Sequence, residues 1–217
     1  MPPLLRVVNF KYTTMNKSVI KEKGIVGIGG YATTGKDLLC RLIKDRGLNV
    51  RRFALADKLK HSLDPFIQSE YGVSLFTCNK KEKELLRPLM VAYSKLHRSR
   101  TGGAYFANKI QEEVIEHSKT GLAIITDVRY AEFPETDELW WIKKIGGKLV
   151  YLDKYEKDSY GNKSFVRAPN ADEAENCPKL KIASDYNIEW PHSDKGLSCL
   201  DGHVDNLVFY LNESLGK

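Results

Sequence analysis

The sequence predicts an α/β fold built on a parallel sheet. Two short apolar runs, residues 24–30 and 122–126, have the composition of buried parallel strands. Segments with apolar residues at helical spacing lie between and after these runs, and strands that alternate with helices are typical of this fold class. The 217 residues are enough for one domain, alone or with a small inserted lid.

The first half of the chain begins its regular structure with the strand at residues 24–30. A helix over residues 36–46 is expected next, because four aliphatic residues share one face, and it ends at Gly47, a residue type favoured just after a helix. Within the next predicted helix, Pro65 is expected to cause a break or a kink. The remaining elements of this half are one strand and three helices, at residues 50–54, 57–71, 80–98 and 105–118.

The second half of the chain begins with the strand at residues 122–126. Glycines 146 and 147 end a helix, and Pro191 closes the last strand. Residues 154–181 are polar and show little periodicity, which indicates a flexible segment, and residues 1–22 are interpreted as an extension or an added strand. The elements predicted after residue 126 are a helix, two strands and a final helix, at residues 136–145, 148–152, 185–190 and 204–211.

Composition and charge narrow the classes of function. With 42% apolar and 29% charged residues, wholesale disorder and fibrous repeats are excluded. The 34 Lys and Arg residues against 28 Asp and Glu residues give a net charge of +6, which suits anionic ligands without choosing between free nucleotides and a nucleic acid polymer. No apolar run has the length of a membrane span, and no signal peptide is recognised, so a cytoplasmic protein is expected. The four scattered cysteines form no CxxC pair, which disfavours a zinc ribbon, a redox motif and a disulfide scaffold.

A glycine-rich loop follows the first predicted strand. Residues 30–36 read Gly-Tyr-Ala-Thr-Thr-Gly-Lys and fit the pattern G-x-x-x-x-G-K. Glycines allow the backbone to turn its N–H groups inward toward a phosphate, the following helix directs its N-terminal dipole at the same anion, and Lys36 adds a positive charge. Asp37 stands where a Ser or Thr normally offers a hydroxyl to Mg²⁺, so its carboxylate either binds the metal, directly or through water, or points away. Because the loop follows a strand and opens a helix, the sequence predicts a nucleotide phosphate site rather than a chance glycine-rich turn.

A second polar group lies at the end of the predicted strand at residues 122–126. Ligands of open α/β sheets bind beyond such strand ends. Asp127 is therefore a candidate for holding Mg²⁺, and Arg129 for bidentate binding of phosphoryl oxygens. The alternative is an aspartate that caps the strand and pairs with a surface arginine.

Two further arginines are candidates for contacting a substrate phosphate. Arg87 follows two leucines and is expected near buried surface, where a half-buried arginine needs an anion. Arg98 is expected on a loop just before residues 101–103. The lysines around residues 80–83 are interpreted as a solvated helix face. The basic segment 154–181 either closes over a triphosphate and excludes water or is an ordinary mobile loop.

Several segments together resemble the bacteriophage-type deoxynucleoside monophosphate kinases, members of the P-loop nucleoside monophosphate kinase superfamily. They are Gly30–Asp37 (GYATTGKD), residues 52–58 (RFALADK), Arg87, residues 125–130 (ITDVRY) and residues 183–190 (ASDYNIEW). The resemblance in order and spacing covers roughly residues 24–190. It implies a single-domain, three-layer fold with a five-stranded parallel sheet, a helical monophosphate-binding region at about residues 56–118 and a lid at about residues 154–181.

The same resemblance implies transfer of a phosphoryl group from ATP, with Mg²⁺, to a deoxynucleoside 5′-monophosphate. It assigns the ATP site to the loop and the start of its helix, that is Gly30, Ala32, Thr33, Thr34, Gly35, Lys36, Asp37 and Leu38. Such kinases often place Thr where this chain has Leu38, so a hydroxyl contact is missing there. It assigns the acceptor site to Phe53, Asp57, Lys58 and Arg87, to which the sequence reasoning above adds Arg98. It assigns the metal and phosphate centre to Asp127 and Arg129, beside Lys36 and Asp37 of the loop. Arg167 is the best candidate for a lid arginine.

The family resemblance also carries expectations about partners. Small nucleotides are expected as ligands, no nucleic acid polymer and no membrane, with a possible homodimer, and a phage-encoded protein would work in the host cytoplasm. Two alternatives stay open at this point. The first is another P-loop small-molecule kinase, similar to dephospho-coenzyme A kinase or phosphomevalonate kinase, and the second is a basic nucleic-acid-binding protein.

Overall fold

The computed structural model describes residues 23–77, 79–192 and 196–215. The strands are β1 (Gly24–Gly29), β2 (Val50–Phe53), β3 (Leu122–Val128), β4 (Lys148–Lys157), β5 (Lys163–Phe165) and β6 (Tyr186–Pro191). The helices are α1 (Lys36–Asp45), α2 (Leu55–Tyr71), α3 (Lys80–Thr101), α4 (Tyr105–Ser118), α5 (Glu138–Lys144), α6 (Ala171–Ala183) and α7 (Asp201–Leu215), with a 3-10 turn at Leu197–Leu200. The extension predicted for residues 1–22 lies outside the described residues.

Five of the strands form a parallel sheet in the order β2-β3-β1-β4-β6. The short β5 pairs antiparallel with the end of β4, beyond the part of β4 that pairs with β1. The predicted α/β fold with a five-stranded parallel sheet is therefore confirmed. Because β1 lies between β3 and β4, the loop after β1 and the polar residues after β3 meet at one edge of the sheet.

Helices cover both faces of the sheet, which gives three layers. Along β1, Ile25 packs into the core beneath α4, α5 and α6, while Val26 and Ile28 pack into the core beneath α1 and α7. Side chains of a strand alternate between faces, so a strand buried on both sides is apolar on both, as residues 122–125 of β3 also are. The two cores fix the carboxyl ends of β1 and β3 rigidly beside each other.

The structure corrects two expectations about secondary structure. Residues 154–181 are not a flexible loop, since they contain the end of β4, the β5 hairpin and most of α6. The buried face of α6 comprises Glu173, Asn176, Cys177 and Leu180, which have helical spacing, but two of them are polar and so the apolar period is hidden. In addition, of the break or kink expected at Pro65, the break does not occur, because α2 continues through this residue. Most other boundaries differ from the prediction by only a few residues.

Two further features of the described residues concern the cysteines and the character of the helices. Cys40, Cys177 and Cys199 are free thiols. Within residues 23–77, 79–192 and 196–215, no helix combines the length and the apolar character needed to cross a bilayer.

Candidate functional site

The loop between β1 and α1 takes backbone conformations that favour glycine. Gly30 has φ 131°, and a Cβ there would lie 2.4 Å from the main-chain oxygen of Leu152. Gly35 has φ 100°, and a Cβ there would lie 2.7 Å from the ring of Trp190. Thr33 also takes a positive φ, 69°. Both glycines of the motif are therefore required by conformation and by a close neighbour, which is the Leu152 backbone at Gly30 and the Trp190 ring at Gly35.

The Lys36 ammonium is turned back into this loop. Its Nζ donates to the main-chain oxygens of Gly30 and Tyr31, each 2.6 Å away, and only 7% of the residue is exposed. Burial, with a smaller effect from the nearby Arg129 guanidinium, lowers the pKa of Lys36 to about 8. The amine consequently keeps most of its positive charge at neutral pH while it lies inside the loop.

The remainder of the loop is fixed by bonds to its own and to distant residues. The Thr34 hydroxyl donates to the main-chain oxygen of Tyr31 at 2.9 Å, and the Trp190 indole donates to the main-chain oxygen of Thr34 at 2.9 Å. Thr34 and Trp190 are both almost completely buried. Leu38, by contrast, packs against the core beneath α1 and α7.

Asp37 belongs to a surface charge network. Its Oδ1 accepts from Arg52 at 2.6 Å and from the Thr126 hydroxyl at 2.9 Å, and Arg52 also donates to Asp57 at 2.8 Å. Partial burial acts to raise the pKa of Asp37, but the bonds from Arg52 outweigh it and lower the pKa. The carboxylate is therefore ionised, with 70% of its side chain exposed.

Two other predicted substrate residues make contacts within the fold. Phe53 is buried in the core beneath α4, where it ends β2. Lys58 donates to Glu113 of α4 at 2.6 Å.

Asp127 fixes the start of α2 on the end of β3. Its two oxygens accept from the amides of Leu55 and Ala56, at 2.9 and 2.8 Å. This carboxylate takes the place of a side-chain cap, since the N-cap residue Ala54 makes no such bond. Burial raises the pKa of Asp127, and the two amide bonds act to lower it.

Arg129 stands between the loop and the helices that follow β2. Its Nη1 donates to Glu173 Oε1 at 3.2 Å, and Glu173 Oε2 accepts from the loop amide of Ala32 at 2.8 Å. The main-chain amide of Arg129 donates to the buried carboxylate of Glu138 at 2.7 Å. Two carboxylates thus position Arg129, one through the backbone and one through the guanidinium.

A cavity of about 370 Å³ opens between α2, α3 and the end of β3. Arg87 and Arg129 contribute to its wall, as does Asp127. Arg87 is exposed, which corrects the expectation of a half-buried arginine. The apolar lining of the cavity is Leu55, Ala56, Leu59, Leu75, Met90, Val91 and Phe106. The other polar residues of its wall are Lys60, Lys83, Ser94, Tyr130 and Glu138.

Arg98 does not have the predicted environment. It lies in α3, not on a loop, and is 3% exposed. Its guanidinium donates twice to Asp137, at 3.0 and 3.1 Å, and the guanidinium carbon Cζ lies 3.5 Å from the centre of the Tyr130 ring. Because these partners and Glu138 take up the guanidinium, the expectation that Arg98 contacts a substrate phosphate is corrected: it holds the start of α5.

The last two predicted roles concern a lid arginine and a metal. Arg167 is exposed, and it lies between β5 and α6. Within the described ranges no group of three or more His, Cys, Asp or Glu residues is arranged to hold a metal ion. Asp37 and Asp127 are instead engaged with Arg52 and with the start of α2.

Comparison with known proteins gives similarity of structure only. No family model matches the chain, and no curated protein matches it. Dephospho-CoA kinase from Campylobacter jejuni is 10% identical with a TM-score of 0.48, over 87% of this chain and 97% of that one. Shikimate kinase from Aquifex aeolicus is 17% identical with a TM-score of 0.44 (87% and 96%), and the APS kinase CysC of Mycobacterium tuberculosis is 13% identical with a TM-score of 0.37 (90% and 99%). At such values neither substrate nor mechanism is transferred from these proteins.

Sequence reasoning missed Glu173, Glu138 and Trp190, which organise the site. For Glu173 a signal existed: Asn170 precedes it by three residues, the spacing of a capping box, and Asn170 does cap α6. For Trp190 no local signal existed, because its partner Thr34 lies 156 positions away. Glu138 accepts from the amide of Arg129, nine positions away, across a loop whose course the sequence does not predict.

Proposed function

We propose that the protein is an ATP-dependent kinase of small molecules, and that its acceptor is a deoxynucleoside 5′-monophosphate. One observation carries the proposal. Arg129 lines the cavity and is also bonded, through Glu173, to the amide of Ala32 in the loop. A phosphate held by the loop and a phosphate held in the cavity would therefore both lie within reach of the same guanidinium.

The loop fits the phosphates of a nucleotide. Its glycines take backbone conformations and close contacts that leave no room for a Cβ, and α1 begins directly after the loop. N–H groups and the helix dipole would therefore act on the same anion. Gly30, Ala32, Thr33, Thr34, Gly35 and Lys36 would hold the donor's phosphates. ATP would supply the phosphoryl group, and Mg²⁺ would neutralise part of its charge.

The protein offers few ligands for the metal. Mg²⁺ characteristically binds one or two carboxylates together with phosphate oxygens and water. Asp37 and Asp127 are the candidate carboxylates. Asp37, with its exposed side chain, is the more accessible, while Asp127 is bonded by both oxygens to α2. We infer that Asp37 acts on the metal, directly or through water, and that Asp127 mainly positions α2.

The cavity suits a monophosphate that carries a flat apolar group. Its volume of about 370 Å³ is within the ordinary range for small ligands, and it combines apolar walls with cations. In this proposal Arg87 and Arg129 bind the acceptor phosphate, and Phe53, Asp57 and Lys58 shape the surrounding region. Residues 56–118 then form the acceptor region. Within residues 154–181, the β5 hairpin and the segment before α6 form the lid, which carries Arg167.

The chain's own residues would act by positioning and by charge. Phosphoryl transfer passes through a loose transition state with charge spread over the peripheral oxygens, so cations and alignment contribute most of the catalysis. Lys36 and Arg129 supply these cations. No general base is needed, because an acceptor phosphate is already an anion at pH 7.

A panel of acceptors tests the proposal. The protein is incubated with Mg-ATP and each common deoxynucleoside or ribonucleoside monophosphate, dephospho-coenzyme A or phosphomevalonate, and ADP release is measured. We expect release with at least one deoxynucleoside monophosphate. Activity on dephospho-coenzyme A or phosphomevalonate alone would favour the alternative kinases. No release with any acceptor would contradict the kinase proposal, and strong, steeply salt-dependent DNA binding would then favour a nucleic-acid-binding protein.

A further inference from the structure

The carboxylate of Glu173 occupies an unusual position for an acidic side chain. It lies in the first turn of α6, is 4% exposed, and accepts from the main-chain amide of Ala32 at 2.8 Å. Its other oxygen accepts from Arg129 at 3.2 Å. A buried anion is thus bonded to one donor of the phosphate loop and to the arginine at the end of β3.

Helix capping does not account for this position. In a capping box the acidic side chain turns back to the amide of the N-cap residue. Here Asn170 caps α6 by accepting from the Glu173 amide at 2.8 Å, while the Glu173 carboxylate is directed away to Ala32 and Arg129. The Asn170 side chain adds a longer bond of 3.4 Å to Glu173 Oε1. The carboxylate therefore serves the loop more than its own helix.

The two donors that it takes are donors suited to a phosphate. A main-chain amide of the glycine-rich loop and an arginine that reaches toward it are groups that bind phosphoryl oxygens. A phosphate and a carboxylate cannot share them without strong repulsion, because both are anions in a partly buried site.

We propose that Glu173 competes with the donor's phosphates for the Ala32 amide and the Arg129 guanidinium, and so sets the affinity of the donor site. This inference rests on the proposed function, since it needs the loop to bind a polyphosphate. Binding then requires the carboxylate to release both donors and the first turn of α6 to move with it. The cost of that release weakens nucleotide binding, and it couples the loop to the segment that follows the β5 hairpin.

Direct binding of ADP and of inorganic pyrophosphate, measured by calorimetry, tests the competition without an activity assay. Glu173→Gln keeps the shape of the side chain and removes its charge. The matched control is Asp172→Asn, which removes a charge from the same helical turn, where Asp172 pairs with Lys95 at 3.2 Å. We expect about tenfold tighter binding in Glu173→Gln, as loss of one charged hydrogen-bonding competitor would give, and a change of less than about twofold in Asp172→Asn.

The possible results separate this inference from the proposed function. Unchanged or weaker binding in Glu173→Gln, with normal binding by the wild type, would overturn the competition and leave the kinase proposal intact. Equal tightening in both variants would also overturn it, since the effect would then be one of general charge. No binding of ADP or pyrophosphate by either the wild type or the Gln variant would overturn both proposals.

Hydrogen–deuterium exchange on the wild-type protein provides a test that does not depend on how a variant folds. With saturating ADP, we expect slower exchange in residues 30–38 and faster exchange in residues 171–176. Slower or unchanged exchange in residues 171–176, together with protection of the loop, would show that Glu173 stays in place and would overturn the competition.

Discussion

Trp190 donates its indole N–H to the main-chain oxygen of Thr34, 2.9 Å away, across 156 positions of the chain. The bond joins β6, at one edge of the parallel sheet, to the middle of the glycine-rich loop. The same indole ring fills the space that a Cβ at Gly35 would need. The shape of the loop is consequently set by β6 as well as by its own glycines.

Replacing Trp190 by Phe should loosen the loop. The variant keeps an aromatic ring but leaves the oxygen of Thr34 without its donor, so we expect the free energy of unfolding to fall by about 1–3 kcal/mol and ADP affinity to fall several-fold. Chemical denaturation and calorimetry measure the two effects. Trp141→Phe is the control, because it removes a similar 3.0 Å bond to Gln111 on the far side of the sheet. Equal loss of ADP affinity in both variants would contradict a specific role for Trp190.

Replacing Lys36 by Ala should nearly abolish kinase activity without unfolding the protein. Loss of a well-placed cation at a phosphoryl-transfer centre costs about 10³-fold in rate, or about 4 kcal/mol. ADP release under saturating substrates and thermal unfolding are the measurements. Lys44→Ala, at an exposed position of the same helix, should keep the wild-type rate. A wild-type rate in Lys36→Ala would remove this residue from the mechanism.

Binding of ADP at pH 8 should be accompanied by uptake of a fraction of a proton at Lys36. Burial lowers the pKa of Lys36 to about 8, so about half of the amines are neutral at that pH, and adjacent phosphates would restore the charge. Calorimetry in two buffers with different ionisation enthalpies should give an uptake of about half a proton per ADP. Lys36→Arg, which stays charged at every accessible pH, should bind with no such uptake. An equal uptake in that variant would assign the proton to another group.

The same shift has a consequence for stability. The folded pKa of Lys36 is depressed from 10.5, so between about pH 8 and pH 10.5 the unfolded chain binds more protons than the folded one at this position. The contribution of Lys36 to stability therefore rises with pH across that window, and its burial opposes folding at neutral pH.

Replacing Arg98 by Met should destabilise the fold strongly. The substitution leaves Asp137 and Glu138 buried without their cation, and breaking a buried ion pair in this way costs about 3–5 kcal/mol. Denaturant unfolding measures the loss. Arg100→Met, at an exposed position near the end of the same helix, should change the free energy of unfolding by less than about 0.5 kcal/mol. A folded Arg98→Met variant of wild-type stability whose acceptor binding alone is reduced would restore the substrate role.

Replacing Arg87 by Ala should weaken the acceptor and spare the donor. Arg87 is exposed on the wall of the cavity, so its loss should raise the KM for the acceptor by about tenfold while the Kd for ADP stays within about twofold. Lys81→Ala, an exposed position of the same helix that does not line the cavity, is the control. An unchanged acceptor KM in Arg87→Ala would place the acceptor phosphate elsewhere.

The environment of Arg98 shows where sequence reasoning reached its limit. The residue was visible as a cation near a glycine pair, but its partner Asp137 lies 39 positions away. The pattern of α6 was concealed for a related reason. Glu173 and Asn176 point inward because Ala32, Arg129 and Ala131 need acceptors, and these partners are remote in the chain.

The amino-acid sequence by itself determined the features that depend on neighbouring residues. These are the buried strands, the helices with an apolar face, and the loop of residues 30–36, whose glycines and lysine are fixed by backbone conformation and by spacing along one short segment. Only the tertiary structure decided which charges are free to meet a ligand. Arg98 is buried and paired with carboxylates, while Arg87 is exposed on a cavity wall. Arg129 lines the same cavity and is bonded through Glu173 to the loop. The physical reason is that the fate of a charge depends on every group that the fold packs against it, and most of those groups come from distant parts of the chain.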